Sequence, residues 1–281
     1  MATLAVIGGS GLYALSGLAA TDEIAVETPY GAPSDKIVRG VLDSTTMLFL
    51  PRHGRGHTIP PSAINYRANI CALKKLGATH VVSVSAVGSM KESILPGQLV
   101  IVDQFIDLTK RRVSTFFDEG VAAHVAVADP VCPLLAAATA AAGEKAGAQV
   151  HRGGTYVCIE GPQFSTRAES HLYRSWGVAV IGMTNMPEAK LAREAELPYA
   201  TIAVATDYDC WHQTNEDVSV DAILAVLKRS LDTTQRLLVE LAPALPDAAK
   251  SPAHGALSGA VLTDRSQISP AKRAELAWLL S

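Results

Sequence analysis

Two acidic residues, Asp207 and Asp209, directly follow an apolar run that begins at Tyr199. The run contains Ile202, Val204 and several alanines but no charge, which predicts a strand buried on both faces. Acids after such a strand lie at its carboxyl end, where open α/β sheets bind ligands. Because they are two positions apart, an extended chain points both side chains to the same side. Two neighbouring carboxylates do not both ionise easily, so we expect one of the two acids to be protonated. The alternative is that both acids simply cap the following loop.

A glycine-rich segment, Gly8-Gly9-Ser10-Gly11, follows another predicted strand over residues 4–7. Glycines let backbone N–H groups approach an anion, and the Ser10 hydroxyl adds a donor. The segment with Ala14 also matches the dinucleotide pattern G-x-G-x-x-A. However, Gly17 and Pro29 leave little room for the helix that a dinucleotide site requires. We therefore favour an anion site, with a tight turn that binds nothing as the alternative.

Cationic side chains follow a predicted pair of strands over residues 36–42 and 46–50. The motif Pro51-Arg52-His53-Gly54-Arg55-Gly56-His57 places two arginines and two histidines directly after a buried strand. Such a position is costly for cations unless an anion joins them, so the motif predicts anion binding. A solvated basic loop is the alternative.

Small and hydroxyl-bearing residues follow three further predicted strands. Ser85-Ala86-Val87-Gly88-Ser89 follows a strand over 80–84, and its small side chains and hydroxyls suit a tetrahedral anion. Phe164 and Ser165 follow a strand over 155–159, and Met183-Thr184 follows one over 178–181. Each motif is weak alone, but all of them lie at strand ends.

The elements that must position these residues alternate along the chain. We predict a further strand over 99–106 and helices from Ser62 to Gly77 and over 133–148, 187–196 and 220–241, with another through Glu169 and Leu172. This alternation predicts an α/β fold, a three-layer α/β/α sandwich with a central mixed sheet. Residues 1–242 form the predicted domain. Residues 243–281 form a predicted linker and helical tail, in which Ser269-Pro270 begins the last helix. We expect this tail to pack on the same domain or on a neighbouring subunit.

Composition excludes several classes of function. The 281 residues are 48% hydrophobic and carry a formal charge of −3, so we expect a sizeable core and neither nucleic acid nor a membrane as partner. No apolar run is long enough to cross a bilayer, and the N-terminus does not resemble a secretory signal. The four cysteines have no metal-binding spacing, so we expect a reduced, cytoplasmic protein without a metal.

Together the motifs resemble the 5′-methylthioadenosine phosphorylases, of the trimeric purine nucleoside phosphorylase type. The resemblance runs from about Leu4 to about Leu241 and rests on IGGSGLY, RHGRGHTIPPSAINYRANI, SAVGSM, IEGPQFSTRAES, MTNMPE and ATDYDCW in that order. It implies attack of phosphate on C1′ of 5′-methylthioadenosine, release of adenine, and formation of 5-methylthioribose 1-phosphate, as in purine and methionine salvage. Phosphate is then a co-substrate, and no cofactor is expected.

The resemblance also assigns roles to single residues. It implies a phosphate site of Ser10, Arg52, His53, Ser85, Ala86 and Thr184, where Ser10 and Ser85 replace the threonine common in relatives but keep its hydroxyl. It implies purine and ribose contacts by Phe164, Ser165 and Met183. Asp207 would face N7 of the purine and Asp209 its 6-amino group, which makes both acids catalytic. It further implies a 5′-methylthio pocket of His57, Val220, Ile223 and Leu224, completed by His124 from an adjacent subunit of a homotrimer.

Three other functions compete with this assignment. A 6-oxopurine nucleoside phosphorylase, or a methylthioinosine phosphorylase, needs a donor such as Asn at position 207 and has Glu where Ser165 stands. A nucleosidase would use water, which the dense set of anion ligands disfavours. A nucleoside-binding protein without catalysis needs neither the paired acids nor a phosphate site.

Overall fold

The computed structural model describes residues 2–9, 11–12, 15–212 and 219–280. Among them, eleven strands form one mixed sheet: β1 (Thr3–Gly8), β2 (Ala19–Ile24), β3 (Ile37–Leu42), β4 (Thr45–Pro51), β5 (His80–Ser89), β6 (Leu99–Ile101), β7 (Gln104–Asp107), β8 (Val150–Arg152), β9 (Thr155–Cys158), β10 (Val180–Gly182) and β11 (Tyr199–Asp207). The same part of the chain contains seven α-helices: α1 (Tyr66–Lys75), α2 (Pro133–Lys145), α3 (Arg167–Ser175), α4 (Glu188–Glu194), α5 (Val220–Leu241), α6 (Pro270–Glu275) and α7 (Ala277–Leu280). Short 3₁₀ turns lie between several of these elements.

The sheet separates two helical layers because successive strand residues face opposite sides. On β1, Ala5 and Ile7 pack in a core with α1, α4 and the tail. Leu4 and Val6 pack in a second core with α2 and α5. This arrangement confirms the predicted three-layer α/β/α sandwich.

The long strand β5 has three neighbours, and this creates a gap in the sheet. Strand β1 runs parallel to β5 only over Leu4–Ile7, opposite His80–Ser83. Strand β10 joins antiparallel at Gly88 and Ser89. On that side of β5, Ser85, Ala86 and Val87 therefore lie between the end of one neighbour and the start of the next. Such a parting of strands is where open α/β sheets place their ligand sites.

Each predicted helix and strand is present, but some boundaries differ and two strands were missed. The helix predicted from Ser62 begins at Tyr66, with the Asn65 side chain accepting from the N–H of Ala68 as the N-cap. The motif from Ser85 to Ser89 lies inside β5 rather than after it, because β10 and β11 extend the ladder to its end. The strand predicted over 99–106 is divided into β6 and β7. Strands β2 and β8 were not predicted.

The C-terminal tail packs on the body of the same chain. Ile268 and Leu276 are buried in the core that contains α1 and α4. The Trp278 ring packs edge-on against Phe116, with centroids 4.9 Å apart. The backbone N–H of Leu257 donates to a carboxylate oxygen of Glu196 at 2.9 Å. The position of the domain boundary at residue 242 stays a prediction.

Candidate active site

Arg52 follows β4 at the carboxyl edge of the sheet, and its side chain is buried. Its Nε and Nη2 donate to the two carboxylate oxygens of Glu188, at 2.9 and 3.1 Å. Nη2 also donates to the Ser83 hydroxyl at 2.5 Å and to the carbonyl of Ile7 at 3.2 Å, and Nη1 donates to the carbonyl of Val84 at 3.0 Å. Burial by itself lowers the pKa of Arg52, but the Glu188 carboxylate more than reverses this, so the guanidinium stays charged. Of its five N–H donors, one on Nη1 has no acceptor among the described residues and can take a ligand.

The sequence did not single out Glu188, although it holds Arg52 in place. Glu188 is fully buried in the first turn of α4. Besides Arg52, it accepts a hydrogen bond from the Tyr199 hydroxyl at 2.9 Å. Asn185 donates to the Tyr199 hydroxyl at 2.6 Å and to the Ser83 hydroxyl at 2.9 Å. Glu188 is also the last residue of the motif MTNMPE. However, an acid in the first turn of a helix is ordinarily explained by its favourable interaction with the helix dipole.

His53 is held as a neutral imidazole. Its Nδ1 lies 2.8 Å from the carbonyl of Ile59, which can only accept, so Nδ1 carries the proton and Nε2 has a free lone pair. Burial lowers the pKa of His53 to about 4, and the nearby Arg52 charge acts in the same direction. The ring stacks on His57, with centroids 4.1 Å apart. His57 itself is exposed and has a positive φ of 56°.

Ser85 and Thr184 meet although 99 positions separate them. Their hydroxyl oxygens are 3.2 Å apart, and the Tyr156 hydroxyl lies 3.3 Å from Ser85 Oγ. Ala86 follows Ser85 in the gap of the sheet, opposite Val204 of β11. The structure therefore gathers the hydroxyls of two predicted phosphate ligands at one point. A third, Ser10, lies outside the described residues.

Asp207 and Asp209 lie side by side over Gly88 of β5. A Cβ atom at position 88 would be 3.0 Å from Asp207 Oδ1 and 3.2 Å from Asp209 Cβ, so the lack of a side chain there makes room for both acids. The Asp207 carboxylate accepts from the Thr206 hydroxyl and from the backbone N–H of Asp209, both at 2.7 Å. This second bond is the loop cap that we considered as an alternative, so Asp207 caps its loop, and its contact with a purine stays a prediction.

Both acids are held toward their neutral forms. Burial is the largest cause that raises the pKa of Asp207, and the charge of Asp209 adds to it. Burial also raises the pKa of Asp209, which is only 7% exposed. Desolvation thus contributes more than the mutual repulsion that the sequence suggested.

The loop after β9 lies beside these acids. Cys210, next to Asp209, contacts the carbonyl of Ser165, with an S–O distance of 3.3 Å. Arg167 of α3 donates to the carbonyl of Cys210. Phe164 is 45% exposed, as expected for a ring that stacks on a ligand rather than on the core. Met183 contacts the same loop, since a Cβ at Gly161 would be 2.5 Å from its sulfur.

The residues assigned to the 5′ end of the substrate are less tightly packed. Helix α5 has the predicted bounds, and Val220 and Leu224 at its start are 61% and 56% exposed, with Ile223 half-buried. They are therefore not core residues of this chain. His124 is exposed, and its backbone N–H donates to the carbonyl of Ala260 in the tail. Its predicted role in a neighbouring subunit stays a prediction.

Among the described residues, no cluster of three or more His, Cys, Asp or Glu could hold a metal ion. Within the same ranges, no helix has both the length and the apolar character that a membrane span requires.

The mixed α/β sheet between two helical layers is the fold of a nucleoside phosphorylase type of protein, and comparison with known proteins agrees. The family model described as "Phosphorylase superfamily" matches residues 3–243, so the chain belongs to this superfamily. It is 58% identical to the S-methyl-5′-thioadenosine phosphorylase of Geobacter sulfurreducens, over 97% of this chain and 95% of that protein. These findings confirm the family resemblance that the motifs indicated.

Solved structures give the same result. A methylthioadenosine phosphorylase from an antarctic soil metagenomic library has a TM-score of 0.95 and 50% identity, over 100% of this chain and 99% of that one. Methylthioadenosine phosphorylase from Schistosoma mansoni, in complex with adenine, has a TM-score of 0.86 and 34% identity, over 93% and 99% of the two chains.

Proposed function

We propose that this protein catalyses the phosphorolysis of 5′-methylthioadenosine to adenine and 5-methylthioribose 1-phosphate. The observation that carries the proposal is the placement, along strand β5, of two kinds of group. Hydroxyl donors of Ser85 and Thr184 lie in the gap of the sheet, and the two acids lie over Gly88, three positions further on. A nucleophile site beside a leaving-group site is what a glycosyl transfer requires. The names of the relatives support the substrate.

On the phosphate side, the protein fixes the nucleophile through hydrogen bonds. Ser10, Ser85, Thr184, the N–H of Ala86 and the remaining N–H of Arg52 supply donors. Neutral His53 can accept a hydrogen bond from a protonated phosphate oxygen through Nε2. Fixing the phosphate near C1′ replaces a bimolecular encounter by an oriented one, which lowers the barrier.

On the purine side, the two acids stabilise the departing base. As the bond to C1′ breaks, negative charge grows on the purine, and a protonated Asp207 can donate to N7. Asp209 can accept from the 6-amino group through a carboxyl oxygen, which is an acceptor in either protonation state. Phe164 and Ser165 would contact the base and Met183 the ribose.

The 5′-methylthio group is assigned to an apolar surface of His57, Val220, Ile223 and Leu224. The exposure of Val220 and Leu224 supports this, because large apolar side chains left uncovered commonly mark a binding surface. His124 of a neighbouring subunit would complete the pocket in a homotrimer. No cofactor is proposed, and the four free cysteines suit a cytoplasmic location.

The test is adenine release from 5′-methylthioadenosine and hypoxanthine release from methylthioinosine, each with and without phosphate. We expect release only with phosphate and a strong preference for the 6-amino substrate. Equal rates without phosphate would establish a nucleosidase instead. Preference for methylthioinosine would establish the 6-oxopurine alternative, and binding without turnover would leave a nucleoside-binding protein.

A further inference from the structure

Arg112 is a buried cation in a stretch that the sequence gives no reason to single out. It ends a run of three basic residues, Lys110, Arg111 and Arg112. The Arg111 side chain is 71% exposed, whereas that of Arg112 is 1% exposed. Burying a guanidinium is costly unless its N–H groups find acceptors, so the burial of Arg112 needs a structural reason.

The acceptors are mostly backbone carbonyls of the two loops that carry the nucleoside contacts. Nη1 donates to the carbonyls of Met183 and Met186, both at 2.6 Å, and Nη2 donates to the carbonyl of Glu160 at 2.7 Å. Nη1 is also 3.1 Å from the Tyr66 hydroxyl on α1. The carboxylate of Glu160 is further away, at 3.8 Å from Nε. Arg112 therefore joins three separate segments mainly through its rigid planar fork.

The two loops also contact each other at this point. A Cβ atom at Gly161 would lie only 2.5 Å from the Met183 sulfur, so the lack of a side chain at position 161 lets the two loops meet. One loop leads into Phe164 and Ser165, and the other carries Met183 and Thr184. Fixing the carbonyl of Met183 fixes the whole planar peptide between Met183 and Thr184.

We propose that Arg112 is a positioning residue for nucleoside binding, because it holds the Met183 floor and the loop of Phe164 at a fixed separation. The inference rests on the proposed function, since those residues contact substrate only if the nucleoside site is as described. Thr184 is also held through Ser85, so the phosphate site depends less on Arg112.

The matched test compares Arg112→Lys with Arg111→Lys. Both arginines pair with the same Glu160 oxygen, at 3.8 and 3.7 Å, but the bonds to the loop carbonyls belong to Arg112. A lysine keeps the charge but cannot bridge several acceptors with a planar fork. The KM for methylthioadenosine is measured at saturating phosphate, and the KM for phosphate at saturating nucleoside.

We expect Arg112→Lys to raise the nucleoside KM by roughly tenfold, since displacements of ~1 Å in positioning residues have effects of this order or larger. The phosphate KM should stay within about twofold, and Arg111→Lys should leave both constants unchanged. A general loosening of the protein would instead raise both constants together.

An unchanged nucleoside KM in Arg112→Lys, or an equal rise of both constants, would overturn the proposal. If Arg112→Lys is insoluble, Tyr66→Phe removes the hydroxyl that accepts from Arg112, together with the bond that this hydroxyl donates to the carbonyl of Pro61. Loss of the Arg112 bond should raise the nucleoside KM by about threefold. No rise in that variant would likewise overturn it. A wild-type protein that releases no adenine with phosphate would refute the proposed function rather than the role of Arg112 within it.

Discussion

Replacing Arg52 by methionine should destabilise the fold and abolish phosphate use, and a second substitution separates the two effects. In Arg52→Met, the Glu188 carboxylate stays fully buried with the Tyr199 hydroxyl as a remaining donor. Removing one partner of a buried ion pair costs about 3–5 kcal/mol, because the other charge is left uncompensated. We therefore expect the free energy of unfolding to fall by about that amount.

The double variant Arg52→Met, Glu188→Leu should regain most of this loss. Two apolar side chains in place of a buried ion pair are often neutral for stability. The Tyr199 hydroxyl then loses its acceptor, and the carbonyls of Ile7 and Val84 lose their Arg52 donors. An unsatisfied buried polar group costs about 1–3 kcal/mol, so the double variant should stay below the wild type by at least that margin. Neither variant should recover normal use of phosphate.

The assay is urea unfolding followed by circular dichroism, at one protein concentration because assembly shifts apparent stability. The control is Arg152→Met, which breaks the exposed pair with Glu144 at 2.8 Å and should cost little because water screens that pair. Our reasoning fails if Arg52→Met is no less stable than the control, or if the double variant is no more stable than the single one.

Three other substitutions probe the remaining parts of the site. Asp207→Asn should lower kcat/KM for methylthioadenosine by roughly 10²–10⁴-fold and raise the relative use of methylthioinosine, and an unchanged ratio of the two substrates would contradict the assignment. Because the pKa of Asp207 is raised, its protonated, donating form is lost as pH rises. The wild-type activity should therefore decline at alkaline pH, and this decline should be absent in the variant. The pKa of His53 is lowered to about 4 in the folded protein, so as pH falls the unfolded chain takes up the His53 proton at a higher pH than the folded protein does. The wild-type free energy of unfolding should therefore fall as pH drops from about 6.5 toward 4. His53→Gln should flatten this pH dependence in urea unfolding, and an unchanged dependence would exclude His53 as its source. Gly88→Ala should displace Asp207 and Asp209 by a few tenths of an ångström. This should lower kcat for methylthioadenosine while the phosphate KM stays constant. A raised phosphate KM with a normal kcat would contradict this expectation.

Strong periodic patterns predicted the large elements well. Helix α5 has the predicted bounds, since its apolar stripe repeats over many turns. Strand β11 begins at Tyr199 as predicted, because an uncharged apolar run between polar segments is a clear signal of a buried strand. The acids at its end and the hydroxyls of Ser85 and Thr184 were found because they follow such runs.

The missed features depend on partners that are distant in sequence. Strand β5 extends to Ser89 because β10, about 90 positions later, bonds to its end. Arg112 looks like one of three solvated cations until the loops after β9 and β10 fold around it. Glu188 looks like an ordinary helix-start acid until β4 places Arg52 beside it. Local patterns carry no information on these contacts, since tertiary packing creates them.

Charge balance bears on how the proposed phosphate site would bind its anion and still release its product. Arg52 is neutralised by Glu188, and His53 is neutral, so these residues offer directed hydrogen bonds rather than excess positive charge. A buried arginine without a carboxylate would need an anion in order to fold. The product sugar phosphate is also an anion, and a site with excess positive charge would hold substrate and product alike, which does not raise turnover. Directed hydrogen bonds therefore select an anion with the shape of the reacting phosphate, whereas excess positive charge would bind any anion tightly.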